Sequence, residues 1–252
     1  MPRRLAIPTN EVPYLPKKRI EEEANLLLGE LAQRGEPVTS PPVPIDDIVE
    51  MHLGLTFEIS DLQELFGVGD VHGALWVNEG RVAVDQSLDP DRNPRKLGRF
   101  RFTLGHETGH WRLHRTHYLK NDAARALFDK HSEKPAYVCR TTEQKRPVEW
   151  QADVFSANLL MPRKMVFAAW EVEHGSMEPI ALPDLRGDET RILAEMLVRI
   201  RVAPTDQPGI DNTLLEWCGL ALAEQFQVSG QAMRIRLEEL GLLVRKKERT
   251  LF

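Results

Sequence analysis

The chain has 252 residues, 42% hydrophobic and 28% charged, enough to bury a substantial core in one domain plus a small appendage. A formal net charge of −5 gives no support for broad electrostatic binding to nucleic acid, and no apolar stretch reaches transmembrane length. The first residues, Met1 to Pro8, lack the apolar core of a signal peptide, and Cys139 and Cys218 lack metal-type spacing and suit a reducing compartment, so a cytoplasmic protein with no membrane partner is expected.

In chain order, Lys17 to Arg34 sets Ile20, Ala24, Leu27, Leu28 and Leu31 in an otherwise charged stretch, which predicts an amphipathic helix ended near Gly35. Residues 36–44 hold Pro37, Pro41, Pro42 and Pro44 and read as an extended connector. Ile45 to Leu53 reads as a second short helix, closed at Gly54. Leu55–Ile59, Gly73–Asn78 and Arg81–Asp85 read as short strands, the last two joined by a turn at Glu79-Gly80. An edge strand of such a sheet can hold an extended peptide through main-chain hydrogen bonds, and Val71–Val77 is the candidate edge. The strands equally fit a simpler role, covering the helix that follows.

That helix carries His106-Glu107-Thr108-Gly109-His110, a His-Glu-x-x-His pattern. Histidines four apart lie one turn up the same helical face, so both imidazoles can bind one metal ion. Glu107 is offset by one position, which suits it to take a proton from water at the ion rather than to ligate. The alternative is a surface helix with two solvated histidines. Downstream, Pro147 to Leu160 spaces Val148, Ala152, Phe155 and Leu159 as one apolar stripe, with Pro147 suited to a first turn and Pro162 acting as a stop. Glu149 and Asp153, four apart, put two carboxylates on one face beside that stripe. Alone, such a pair is more often a solvated acidic face. Beside a His-Glu-x-x-His, Glu149 is the expected third ligand of one Zn2+ ion, because catalytic zinc takes three protein ligands and keeps a position for water. Asp153 is then placed to accept the outer N–H of a ligating histidine and fix its tautomer.

Together these residues resemble the ImmA/IrrE-type metallopeptidases. Phe100-Arg101-Phe102-Thr103-Leu104-Gly105-His106-Glu107-Thr108-Gly109-His110-Trp111-Arg112-Leu113-His114 is similar to that family's catalytic helix. Glu149 to Pro162 is similar to its second signature, Glu-x-x-Ala-Asp/Asn-x-Phe-(Ala/Ser)-x-x-Leu-Leu-Met-Pro. Carried over position by position, the resemblance implies His106, His110 and Glu149 as zinc ligands and Glu107 as the general base. The Glu149 to Asp153 separation also resembles the Glu-x-x-x-Asp of gluzincins such as thermolysin. Many relatives have Ala-His-Glu-Leu-Gly-His, where this chain has Gly105 and Thr108. Some carry Glu where this chain has Gln151, which argues for Glu149 as the ligand. The resemblance covers roughly residues 17–170, and more weakly 214–244. It implies a protein substrate, a helix-turn-helix repressor of the Xre type whose cleavage relieves repression.

Residues 115–147 form a polar insert between the two metal helices, with Tyr137–Arg140 as a short strand. Peptide hydrolysis also needs a donor for the developing oxyanion, and His114, His117, Tyr118, Tyr137 and Arg140 are the candidates by chemistry. His114 is nearly in line with both histidine ligands, but a fourth protein ligand would close the water position, so an orienting or capping role suits it better. His52, His72, His131 and His174 lack ligand spacing.

Residues 171–188 and 203–212, rich in Pro, Gly and Asp, read as linkers around an amphipathic helix, Glu189 to Val202, with Asp188 as N-cap. Leu220 to Leu237 reads as a helix, a turn through Val228 and a second helix capped by Ser229, the outline of a helix-turn-helix with Arg234 and Arg236 as phosphate contacts. From 213 to 252, six Lys and Arg stand against five Glu, a net of 6 − 5 = +1, which favours a helical hairpin packed on the peptidase domain over direct DNA binding. The expected whole is α+β: a zincin-like metallopeptidase domain over 1–170 with a small sheet packed on the His-Glu-x-x-His helix, a linker with one helix over 171–212, and a helix-turn-helix-like module over 213–252. The expected function is that of a zinc-dependent endopeptidase. The alternative is a DNA-binding transcriptional regulator whose metal site is structural or regulatory.

Overall fold

The computed structural model describes residues 12–126, 137–140, 147–200 and 204–246, with side chains at all but 121–126, 137, 138, 140 and 200. Contacts divide the chain into two compact units, Met1–Leu160 and Met161–Phe252. Among the described residues no helix is long and apolar enough to cross a membrane.

In the first unit, α1 (Lys17–Gln33) buries Ile20, Ala24, Leu27 and Leu31, the stripe its spacing predicts. It closes at Gly35, whose φ of 88° is left-handed backbone that favours glycine. After the proline-rich connector, α2 (Ile45–Asp47) runs on into a π-helical turn, Ile48–His52, that ends before Gly54. The strands are β1 (Thr56–Ser60), β2 (Val71–Trp76), β3 (Arg81–Asp85) and β4 (Tyr137–Arg140), in the sheet order β1-β3-β2-β4. β1 is parallel to β3, and β2 is antiparallel to both β3 and β4.

This order corrects the expectation that Val71–Val77 is an edge. β4, from the polar insert, pairs with β2 from Val71 to Leu75, so both sides of β2 are already hydrogen-bonded and β4 takes the outer position. A register shift between Val71 and Gly73 marks a bulge in β2. Val71 joins Leu62, Ala74, Trp76 and Ala83 in a core on one side of the sheet, with Phe66 and Val68 packed against it.

Leu62 and Phe66 bound a helix that periodicity does not announce, α3 (Leu62–Phe66), because one turn and a half is too short to show a period. Its start is fixed by side-chain acceptors. Asp61 accepts from the Glu64 N–H at 2.8 Å. Asp85, at the end of β3 and 1% exposed, accepts from the N–H groups of Leu62 (2.9 Å), Gln63 (3.3 Å) and Ser87 (3.0 Å), and from the Gln63 amide (3.1 Å). Burial pushes the Asp85 carboxyl up, but these donors more than offset it and hold the group below its ordinary range. Asp85→Ala is expected to cost about 1–3 kcal/mol in urea unfolding at neutral pH. A depressed carboxyl contributes stability above its unfolded-state pKa and loses it as pH falls through the folded value. The difference between parent and variant should therefore shrink in acid, and a difference that stays constant would contradict this role.

Across the other face of the sheet lies α4 (Leu97–Ala126), which packs on α5 (Pro147–Leu160). Small residues let these helices approach closely. A Cβ on Gly109 would lie 3.1 Å from the Ala152 backbone, and one on Gly105 would lie 2.6 Å from Ser156 Oγ. Ser156 completes the seam by donating to the Phe102 carbonyl at 2.9 Å. Gly105 with Gly109, and Ala152 with Ser156, are i,i+4 pairs, so each lines one helical face. Position 149 thereby faces 106 and 110.

The second unit holds α6 (Arg163–His174), α7 (Leu182–Leu185), α8 (Glu189–Ile200), α9 (Gln207–Cys218), α10 (Leu220–Phe226) and α11 (Gly230–Glu239), with β5 (Ile180–Ala181) parallel to β6 (Leu243–Val244). Ordered elements thus occupy much of 171–188 and the end of 203–212, where linkers are expected. Pro183 and Pro208 sit in the first turns of α7 and α9, where a missing N–H costs nothing, so the same prolines that suggest a linker start helices. α10 ends at Gln227 (φ 53°), and Ser229 caps α11 by accepting from the Ala232 N–H at 3.1 Å. Arg234 and Arg236 correct an expectation. They are only 7% and 3% exposed, so they do not present phosphate-binding guanidinium groups. Arg234 bonds Glu216 and Glu238, while Arg236 donates to the Met161 carbonyl at 3.1 Å and pairs with Glu239 at 3.5 Å.

Candidate metal centre

α4 presents His106 and His110 one turn apart, and the first turn of α5 brings in Glu149. His106 Nε2 lies 3.0 Å from His110 Nε2 and 3.1 Å from Glu149 Oε2, and His110 Nε2 lies 3.5 Å from Glu149 Oε1. The outer nitrogens are engaged as well. His106 Nδ1 is 2.9 Å from Asp153 Oδ1, and His110 Nδ1 is 3.0 Å from His114 Nδ1.

The electrostatics say what this cluster attracts. Burial would lower the His106 pKa, yet Cys139, Asp153 and Glu149 together raise it well above the usual value. Glu149 is held far below the ordinary carboxylate range by His110 and His106, in spite of burial. His110 is lowered, chiefly by burial, and so stays neutral. Burial and the neighbouring His110 push His114 down to about 3, so it too is neutral. With Nε2 of His114 donating to Gln151 Oε1 (3.5 Å), its Nδ1 accepts from His110 Nδ1–H, and Gln151 donates in turn to the Pro13 carbonyl at 3.2 Å. That chain turns the lone pair of His110 Nε2 toward Glu149 and His106.

A proton on His106 Nε2 can serve one neighbour at a time, whereas a dication serves all three. A tetrahedral ion with ligand bonds of about 2.0–2.1 Å spaces its ligands about 3.3–3.4 Å apart. The observed 3.0, 3.1 and 3.5 Å bracket that spacing, so the residues present fit a zinc-sized dication.

Glu107 adjoins the cluster without joining the triad. It is fully buried, and among the described residues neither carboxylate oxygen has a hydrogen-bond partner. Burial first, and then the Glu149 charge, raise its pKa to about 8 against the pull of His106. The carboxylate lies against β2 at Gly73, where a Cβ would fall 2.5 Å from Glu107 Oε1 and 2.8 Å from Thr103 Cγ2. Gly73 is a functional position that sequence reasoning missed, and a glycine inside a strand is the signal that marks it. Gly73→Ala must displace the Glu107 carboxylate. We expect metal content to hold while the cleavage rate falls by about 10²-fold, the scale of a 1 Å misplacement. An unchanged rate would show that the carboxylate position does not matter.

The remaining candidates are scattered. His114 sits behind His110, fully buried. Tyr137 heads β4 opposite Leu75, and its side chain, like that of Arg140, lies outside the described residues. Tyr118 is buried and His117 half-buried further along α4. His52 contacts Glu30 at 3.0 Å and His72 contacts Arg99 at 2.9 Å, while His131 lies outside the described residues. Cys139, which spacing did not single out, comes within 4.8 Å of ligand atoms of both His106 and Glu107.

Residues 64–185 match the family model of the IrrE N-terminal-like domain, Peptidase M78. Comparison with curated proteins finds no match. The matched stretch contains α4 and α5, β2 to β4, and His106, Glu107, His110, Glu149 and Asp153. Over those residues, just under half of the chain, the match supports a metallopeptidase domain of the ImmA/IrrE family.

Proposed function

We propose that this chain is a cytoplasmic zinc-dependent endopeptidase that cleaves one specific protein, a helix-turn-helix repressor of the Xre type, and so relieves repression. The observation that carries the chemistry is the buried, unpartnered Glu107 carboxyl beside three convergent ligand side chains. Zinc bound there supplies Lewis acidity for a peptide carbonyl and lowers the pKa of water. Glu107 moves the proton, accepting it from the attacking water at a carboxylate oxygen and delivering it to the leaving amine nitrogen. Burial holds the Glu107 pKa up at about 8, and a bound dication would lower it toward the neutral range in which one group can both accept and donate. Asp153 and His114 hold the outer nitrogens of His106 and His110, so that both Nε2 atoms face the centre. Burial of Glu107, His106 and His110 keeps bulk water from competing for these protons.

The substrate class rests on the resemblance of residues 100–114 and 149–162 to the family's signatures. A cytoplasmic setting agrees with two free cysteines. The DNA-binding alternative loses its main support with the burial of Arg234 and Arg236. The test mixes purified enzyme with each Xre-type helix-turn-helix repressor encoded in its own genome. Discrete cleavage, abolished by a chelator and restored by zinc, is the expected result; a repressor left intact in the presence of zinc would overturn the substrate assignment.

A further inference from the structure

The mechanism above leaves one nucleophilic group of the centre unused, the thiol of Cys139. Strand pairing sets Cys139 directly opposite Gly73, and residues opposite one another in an antiparallel pair project to the same face. Gly73 has no side chain, and the Glu107 carboxylate fills the space beside it. Cys139 Sγ therefore emerges next to Glu107, and it lies within 4.8 Å of ligand atoms of both Glu107 and His106. It is half-buried. Cys218, by contrast, is a buried core thiol that contacts the Leu214 carbonyl at 3.7 Å. A second observation points to a ligand at this place. Both Glu107 oxygens are buried and without a hydrogen-bond partner among the described residues, and one oxygen of this carboxylate lies within 4.8 Å of Cys139 Sγ.

We propose that Cys139 is a removable fourth protein ligand of the metal centre, which closes the water position in the resting enzyme. The inference rests on the metal-centre reading above. Thiolate is a preferred zinc ligand, and a site with four protein ligands is closed, whereas three leave it open. On binding, the S–H bond is replaced by a sulfur–metal bond, water leaves the ion, and one proton is released to solution. β4 is an outer strand, paired on one side only among the described residues, so the thiol can move aside without breaking a second strand pairing. Loss or capping of the thiol leaves the position to water.

The test uses the full-length protein with Co2+ as a spectroscopic probe. The parent should show the visible absorption of a four-coordinate ion together with a near-ultraviolet thiolate-to-Co2+ charge-transfer band. Cys139→Ser should lose the charge-transfer band and keep the visible one, while Cys218→Ser keeps both. A visible spectrum with no charge-transfer band in the parent overturns the role of Cys139 and leaves the metal centre standing; no Co2+ uptake overturns both. Iodoacetamide gives a second readout without any variant. Zinc should protect Cys139 from alkylation, and equal labelling with and without zinc overturns the proposal. Cys139→Ala should also cleave the repressor faster than the parent, and slower cleavage would refute the resting-state role.

Discussion

Glu107→Gln is expected to retain its metal and lose cleavage by about 10²–10⁴-fold, the range that general acid–base catalysis contributes. Gln fills the same space beside Gly73, so the seat of the side chain is preserved. It carries no charge and cannot take a proton from water, so only the proton transfer is removed. The ligand atoms of His106, His110 and Glu149 are untouched. The variant should also be at least as stable as the parent, because a buried ionisable group with no hydrogen-bond partner is costly in the fold. Loss of activity with intact stability and metal content separates a catalytic role from a structural one. Metal analysis and a repressor-cleavage time course make the measurement, and a rate within a few fold of the parent would remove Glu107 from the mechanism.

Glu149→Ala should have the larger effect on the metal. It deletes the only carboxylate of the triad and leaves no carboxylate facing His106 Nε2 and His110 Nε2, which lie 3.0 Å apart, while Asp153 stays on the outer nitrogen of His106. Loss of a group that merely orients a ligand costs about 10–100-fold in affinity, so Asp153→Ala should fall in that range and Glu149→Ala beyond it. The same order should appear in thermal unfolding. Zinc at 100 times its dissociation constant stabilises the parent by about 2.7 kcal/mol, and Glu149→Ala should show little of this at the same zinc concentration. Equal zinc affinities for Glu149→Ala and the parent would exclude Glu149 as a ligand.

The parts of the centre carried by helical periodicity were legible in the sequence. Histidines four apart needed only a helix, and Pro147 and Pro162 bounded the segment that carries Glu149 and Asp153. What stayed hidden depends on contacts that local patterns do not encode. The pairing of β4 with β2 joins Tyr137–Arg140 to Val71–Leu75 across more than sixty positions of chain, and this turns the expected edge strand into an inner one. The same pairing sets Cys139 opposite Gly73, so neither residue is recognisable as part of the centre until the sheet is assembled. α3 is held by Asp85, more than twenty positions away, rather than by a stripe of its own. Arg234 and Arg236 show a further limit, since a basic residue on a short helix looks the same in sequence whether it meets solvent or, as here, Glu216, Glu238 and Glu239. His114 shows the converse. Its place in line with His106 and His110 was readable, but its use, accepting the outer N–H of His110, followed only from burial and from Gln151 beyond it.

The central claim is that one ion is held by His106, His110 and Glu149 with Glu107 beside it as an unligated base. Diffraction from zinc-loaded crystals at the zinc absorption edge tests it directly. The account predicts one anomalous peak within bonding distance of His106 Nε2, His110 Nε2 and a Glu149 carboxylate oxygen, with both Glu107 oxygens beyond that distance. A peak bonded to Glu107, a peak elsewhere in the chain, or no peak at saturating zinc would contradict it.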